Sequence, residues 1–164
     1  MSWQCRNFSK QKQIESKAFS LKKQKKLSLQ RKRVQKVAGI YIHIPFCKQR
    51  CNYCAFYSST LYNMQEKYVD ALCREIVERK EYLNEETIET IYFGGGTPST
   101  LTIAQLQRIC STVYATYWIS ENPEVTIECN PDDLTEEFLS VLHTMPFNRI
   151  SMGIQSFNDE QLKR

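Results

Sequence analysis

Residues 39–54 read Gly-Ile-Tyr-Ile-His-Ile-Pro-Phe-Cys-Lys-Gln-Arg-Cys-Asn-Tyr-Cys, so Cys47, Cys51 and Cys54 stand at Cys-x3-Cys-x2-Cys spacing directly after an apolar run. Thiolates are soft ligands, and closely spaced ones select zinc, Cu(I) or iron–sulfur clusters. The fold must therefore present these three side chains on one loop at the end of a strand. A closed 4Fe-4S electron-transfer site uses four cysteines, whereas three leave one iron without a protein ligand and open to a substrate or cofactor. The competing assignment is a zinc site with His43 or Cys129 as fourth ligand.

Composition narrows the setting. At 164 residues and 41% hydrophobic content the chain is long enough for one domain with a sizeable core. Seven cysteines are an odd count, and their spacings do not look like a secreted disulfide framework. Thiolates around a cluster need a reducing compartment, which points to the cytoplasm. No signal-peptide apolar core and no apolar run of about 18 residues is present, so nothing in the sequence indicates secretion or a membrane span.

The net charge of +4 hides two unlike parts. Residues 1–38 carry 12 Lys/Arg against one acid, Glu15, which leaves +11; residues 39–164 carry 10 against 17 acids, which leaves −7. The first part reads as a basic, disordered tail or a non-native extension. A basic tail can bind nucleic acid, and an acid-poor, Ser-rich leader can be a mitochondrial transit peptide. The overall basic balance says nothing about residues 39–164.

From Gly39 onward strand and helix alternate. Strands are expected over 40–44, 88–93, 124–129 and 149–154. Helices are expected over 64–83, with Val69, Leu72, Cys73, Ile76 and Val77 inward, over 103–117 behind Thr102 as N-cap, and over 135–143, burying Phe138, Leu139 and Leu142. Cys73 and Cys110 fall on apolar helix faces as buried thiols. A further helix begins near Asn158 and has little room left, which suggests a fragment. This order predicts an α/β fold: a partial parallel (β/α) barrel of about four β/α units, truncated at its C-terminus.

In a parallel barrel the C-terminal ends of the strands open on one face, and that face carries the active site. The cysteines follow the first strand, Gly94-Gly95-Gly96-Thr97-Pro98 the second, Glu128 and Asn130 end the third, and Gln155 ends the fourth. Consecutive glycines let a backbone approach a ligand closely. Glu128 can accept hydrogen bonds from an ammonium or ribose, and Gln155 can bond a ribose or carboxylate. Tyr41 is either a site residue or core packing. His43 reads as a strand histidine beside the site, and Cys129 stays undecided.

The cysteine spacing resembles the cluster motif of the radical S-adenosylmethionine (SAM) superfamily. Ile-Tyr-Ile-His-Ile-Pro-Phe-Cys, Gly-Gly-Gly-Thr-Pro-Ser, Glu-Cys-Asn-Pro and Ser-Met-Gly-Ile-Gln-Ser-Phe together resemble the oxygen-independent coproporphyrinogen III oxidase family over residues 39–164, the N-terminal part of a radical SAM core domain. The resemblance implies a 4Fe-4S cluster on Cys47, Cys51 and Cys54 and SAM contacts from Tyr41, Gly95, Gly96, Thr97, Glu128 and Gln155. It implies reductive cleavage of SAM to a deoxyadenosyl radical, with a reductant such as flavodoxin or ferredoxin. Where the oxidases carry a further cysteine two residues after the third ligand, this chain has Phe56, as in the HemW (heme chaperone) branch. That implies heme binding and transfer. The alternative is coproporphyrinogen III oxidation in porphyrin biosynthesis, and a zinc module holding nucleic acid ranks last. The family runs to roughly twice this length, so the resemblance also implies that most heme or substrate contacts lie elsewhere.

Overall fold

A computed structural model describes residues 36–83 and 86–162, all within one compact unit, Lys36–Arg164. The expectations for residues 1–35 lie outside the described residues. Four strands form one sheet: β1 Val37–Ile44, β2 Thr87–Gly95, β3 Ile119–Cys129 and β4 Arg149–Met152. Their spatial order is β1-β2-β3-β4, and each pairs in parallel with the next. Parallel neighbours need a long connection. Helix α1, Gln65–Glu78, lies between β1 and β2, α2, Ile103–Thr116, between β2 and β3, and α3, Glu136–Leu142, between β3 and β4. Helix α4, Asp159–Leu162, follows β4. The α/β class is as the alternation predicts. The strands stand side by side in chain order, as in a barrel wall, and among the described residues the sheet is open.

The alternation of strand side chains divides the sheet into two faces. Ile42, Ile44, Ile91, Phe93, Val125 and Ile127 are all at most 2% exposed. They form one core with Val69 and Ile76 of α1, Leu106, Ile109 and Val113 of α2 and Leu142 of α3. Phe93 meets Phe147 edge-on, with ring centroids 5.0 Å apart. The residues between them along the strands, Tyr41, His43, Tyr92 and Glu128, have the opposite parity and build the site.

Helix α2 starts where its sequence says it should. Thr102 Oγ1 accepts from Gln105 N at 3.3 Å, and Gln105 Oε1 accepts from Thr102 N at 3.0 Å. That reciprocal pair satisfies two N–H groups that a helix start leaves open. Gln105 also donates to Glu66 on α1 at 3.0 Å, and Arg108 reaches Glu66 at 2.8 Å and Asp70 at 3.2 Å.

Several boundaries differ from the periodicity. The expected helix over 64–83 ends at Glu78 and continues only as a 3-10 turn, Lys80–Leu83. The run Glu78-Arg79-Lys80-Glu81 supplies no apolar side chain to hold it on the sheet. Val77 and Leu139 are exposed, because each lies one step off the packing stripe, and Cys73 is only half-buried. Strand β3 begins five residues before Glu124. Ile119 pairs with Ile88, and the register then shifts so that Thr90 pairs with Glu124. Pro123 sits in the shifted stretch, where its missing N–H costs no ladder bond. Strand β4 stops at Met152, two residues early.

Two substitutions separate core from cap. Phe93→Ala should cost about 3–5 kcal/mol and Thr102→Ala about 1 kcal/mol, read from urea unfolding midpoints. A Phe93→Ala loss no larger than that of Thr102→Ala would place the core elsewhere.

Candidate functional site

The loop after β1 closes on itself. Phe46, 3% exposed, packs edge-on against Tyr68 with centroids 5.4 Å apart. Cys47 N donates to Ser59 O at 3.0 Å and Ser59 N to Pro45 O at 2.6 Å. All three cysteines therefore lie on one looped-out segment. Cys47 and Cys54 are half-buried and Cys51 is exposed, and Cys54 N donates to Cys51 O at 3.1 Å in a turn. Tyr53 hydrogen-bonds Cys51, which raises its phenol above the ordinary value, with further contributions from the charge of Cys51 and of Cys54. Among the described residues no three His, Cys, Asp or Glu side chains gather about a single point.

The glycine loop lies directly beside Cys47. Gly96 N donates to Ile44 O at 2.8 Å and Thr97 N to Phe46 O at 2.7 Å. Thr97 Oγ1 donates to Cys47 Sγ at 3.5 Å. Gly95 has φ +115°, a region that L side chains rarely adopt, and a Cβ there would stand 2.5 Å from His43 Nδ1. On Gly96 a Cβ would stand 2.8 Å from Phe46 O and 3.0 Å from Cys47 Sγ. Glycine here is a matter of close approach as well as turning.

Glu128 completes the rim from β3. Tyr92 Oη donates to Glu128 Oε1 at 2.7 Å, and Gly95 N donates to Oε2 at 3.1 Å. The Tyr92 phenol is held above its ordinary value, chiefly by this hydrogen bond and then by burial. Tyr41 stacks on Tyr92, with centroids 6.0 Å apart and planes at 20°. Burial, and then the charge of Glu128, raise the Tyr41 phenol too. Thr126, which pairs with Tyr92 in the ladder, is 1% exposed, and its Oγ1 has no hydrogen-bond partner among the described residues.

His43 is committed on both nitrogens. Nε2 lies 3.3 Å from Tyr57 O and Nδ1 3.3 Å from Tyr41 Oη. A carbonyl only accepts, so Nε2 carries the proton and, in the neutral ring, Nδ1 accepts from the tyrosine. The Cys129 thiol is buried, and burial first, then the charges of Asp133 and Glu128, push it up to about 11. Burial likewise pushes the Cys110 thiol up to about 12.

The structure thus brings Tyr41, Cys47, Gly95, Gly96, Thr97 and Glu128 to one rim, and Cys51 and Cys54 share the Cys47 loop. Gln155 stands apart. It lies three residues past the end of β4 instead of ending the strand, is exposed, and its Nε2 donates to Gly153 O at 3.4 Å. Tyr92 escaped the sequence reading. Its signal was parity: it lies two residues before Gly94 and pairs with Tyr41 across the ladder.

A family model described as the radical SAM superfamily matches residues 41–164. The chain is 39% identical over 131 residues to the heme chaperone HemW of Lactococcus lactis, covering 80% of this chain and 34% of the relative. It is 36% identical over 128 residues to the heme chaperone HemW of Escherichia coli, covering 77% and 34%. To the oxygen-independent coproporphyrinogen III oxidase of Escherichia coli it is 34% identical over 125 residues, covering 74% and 27%. The solved structure of that coproporphyrinogen III oxidase, HemN, described as a radical SAM enzyme, superposes with a TM-score of 0.72 at 31% identity, covering 79% of this chain and 30% of that one. The chain spans about a third of the length of these relatives. With the match extending over most of its length, the chain belongs to the radical SAM superfamily.

Proposed function

We propose that this chain carries the cluster loop and part of the SAM site of a heme-binding protein of the heme chaperone kind. The observation that carries the reading is the contact of the cysteine loop with the glycine loop, which in turn bonds Glu128, at one end of a parallel sheet. Cys47, Cys51 and Cys54 hold a 4Fe-4S cluster. Tyr41, Gly95, Gly96, Thr97 and Glu128 contact SAM, and Gln155 joins them on the family resemblance alone. When bound, these groups supply one-electron and radical chemistry, and the protein supplies placement.

The residues present fit that pair of cofactors. A tetrahedral zinc ion needs four donors about 2.3 Å or less from one centre, while a cubane binds each thiolate through a different iron. The two alternative zinc donors are otherwise engaged: His43 by Tyr41 and Tyr57, and Cys129 by burial. The two N–H groups at Gly96 and Thr97 are spent on Ile44 O, the end of β1, and on Phe46 O just after it, so the loop meets a ligand with a fixed backbone. Glu128 offers a carboxylate to an ammonium or a ribose.

Heme as cargo rests on the relatives named heme chaperone and on Phe56, 67% exposed, at the position of the further cysteine in the oxidases. A reductant such as flavodoxin or ferredoxin supplies the electron. A cytoplasmic location accords with thiolates kept reduced.

Metal content, SAM binding and heme binding test these assignments. Anaerobic reconstitution should give about four irons and four sulfides per chain, with zinc below that on the same sample. Cys47→Ala, Cys51→Ala and Cys54→Ala should each abolish the visible absorbance, and zinc alone in the wild type would overturn the cluster. Gly96→Ala should lower iron content by displacing Cys47, whereas Gly153→Ala, outside the rim, should not. Glu128→Gln should weaken SAM binding in equilibrium dialysis by about tenfold or more, the worth of one charge-assisted hydrogen bond. In a form as long as these relatives, stoichiometric heme binding is expected; anaerobic conversion of coproporphyrinogen would favour the oxidase instead.

A further inference from the structure

A buried carboxylate outside the rim links three of its segments. Asp133 closes the 3-10 turn Pro131–Asp133 after β3, and its side chain is only 7% exposed. Its Oδ1 pairs with the ammonium of Lys48, the residue next to Cys47. Its Oδ2 accepts from Ser99 Oγ at 2.6 Å, and Ser99 Oγ in turn accepts from Asn130 N at 3.1 Å. Ser99 follows the glycine loop and is itself 7% exposed. Among the described residues this is the one ion pair made by residues 45–60.

We propose that Asp133 is a positioning residue, which clamps the cysteine loop through Lys48 and registers it against Ser99 of the glycine loop. Exposed ion pairs contribute little. This one differs because the carboxylate is largely buried, so removing Lys48 leaves a charge whose remaining side-chain partner among the described residues is Ser99. The cysteine segment between Cys47 and Ser59 has few other ties to the fold: Thr97 on Cys47 and His43 on Tyr57. Ligands held in shape by a supporting layer bind metal more tightly than ligands left loose. The role assigned to the clamp rests on the cluster reading; its geometry does not.

The test uses the 164-residue chain with Asp133→Asn, Lys48→Met and Lys48→Arg. In the metal-free protein, alkylation of each cysteine is followed by mass spectrometry. In the reconstituted protein, loss of visible absorbance is followed under a chelator. Asp133→Asn keeps an acceptor for Ser99 and removes the charge. It and Lys48→Met should speed alkylation of Cys47 and hasten cluster loss about tenfold, while Lys48→Arg stays near wild type. The buried Cys110 reports general loosening and should label at the wild-type rate in all three. Wild-type rates at Cys47 in Asp133→Asn and Lys48→Met, or equal acceleration at Cys47 and Cys110, would overturn the clamp. A wild-type chain that takes up no cluster would defeat the cluster reading, and the alkylation rates would still decide whether the clamp exists.

Discussion

Two hydrogen bonds carry the pairing of β1 and β2 beyond the strands: Gly96 N to Ile44 O and Thr97 N to Phe46 O. The rest of the rim depends on them. They bring a loop from one crossover against the first cysteine of another, which sets Thr97 Oγ1 on Cys47 Sγ. The same register places Gly95 where its own N–H can reach Glu128 across β2 and β3. Bulk at Gly96 would strike Phe46 O and Cys47 Sγ, so the pairing and the thiol position form one constraint.

The core makes this geometry durable without taking part in it. Residues of one parity, from Ile42 to Ile127, face the helices and are sealed from water. Residues of the other parity are free to be tyrosine, histidine and glutamate. A one-residue slip of any strand would exchange the two sets, placing Glu128 in the core and Ile127 on the rim. Burial of the apolar face therefore fixes which polar side chains meet.

Much of this was legible because period and punctuation agree. The strand that ends at Pro45, the helix that starts at Thr102 and the glycines after Phe93 each carry a local signal of their own. Where the reading failed, the cause was a contact with no local signal. Strand β3 runs back through Pro123 to Ile119 because β2 offers it partners at Ile88, and Pro123 O accepts from Asn148 Nδ2 at 2.8 Å. Val77 looked inward on the helical stripe but lies one step off it, beside the buried Ile76. Tyr92 went unnoticed because an aromatic in a strand is ordinary; only its partner, 36 residues later, gives it a role. Lys48 and Asp133 are 85 residues apart, and neither has a neighbour in sequence that suggests the other.

The treatment of Glu128 shows what such contacts achieve. A carboxylate offers about four lone-pair sites, and Tyr92 and Gly95 N each take one, on different oxygens. Two neutral donors orient the group without cancelling its charge, as a lysine or arginine would. A phenol is already uncharged at neutral pH, and those of Tyr92 and Tyr41 are held higher still, so neither adds a competing negative charge. What remains is a fixed anion with unused acceptor capacity, beside a loop whose backbone is already committed and a thiol already located. Those three properties come together through two registers, β1 on β2 and β2 on β3, and not from any one element alone.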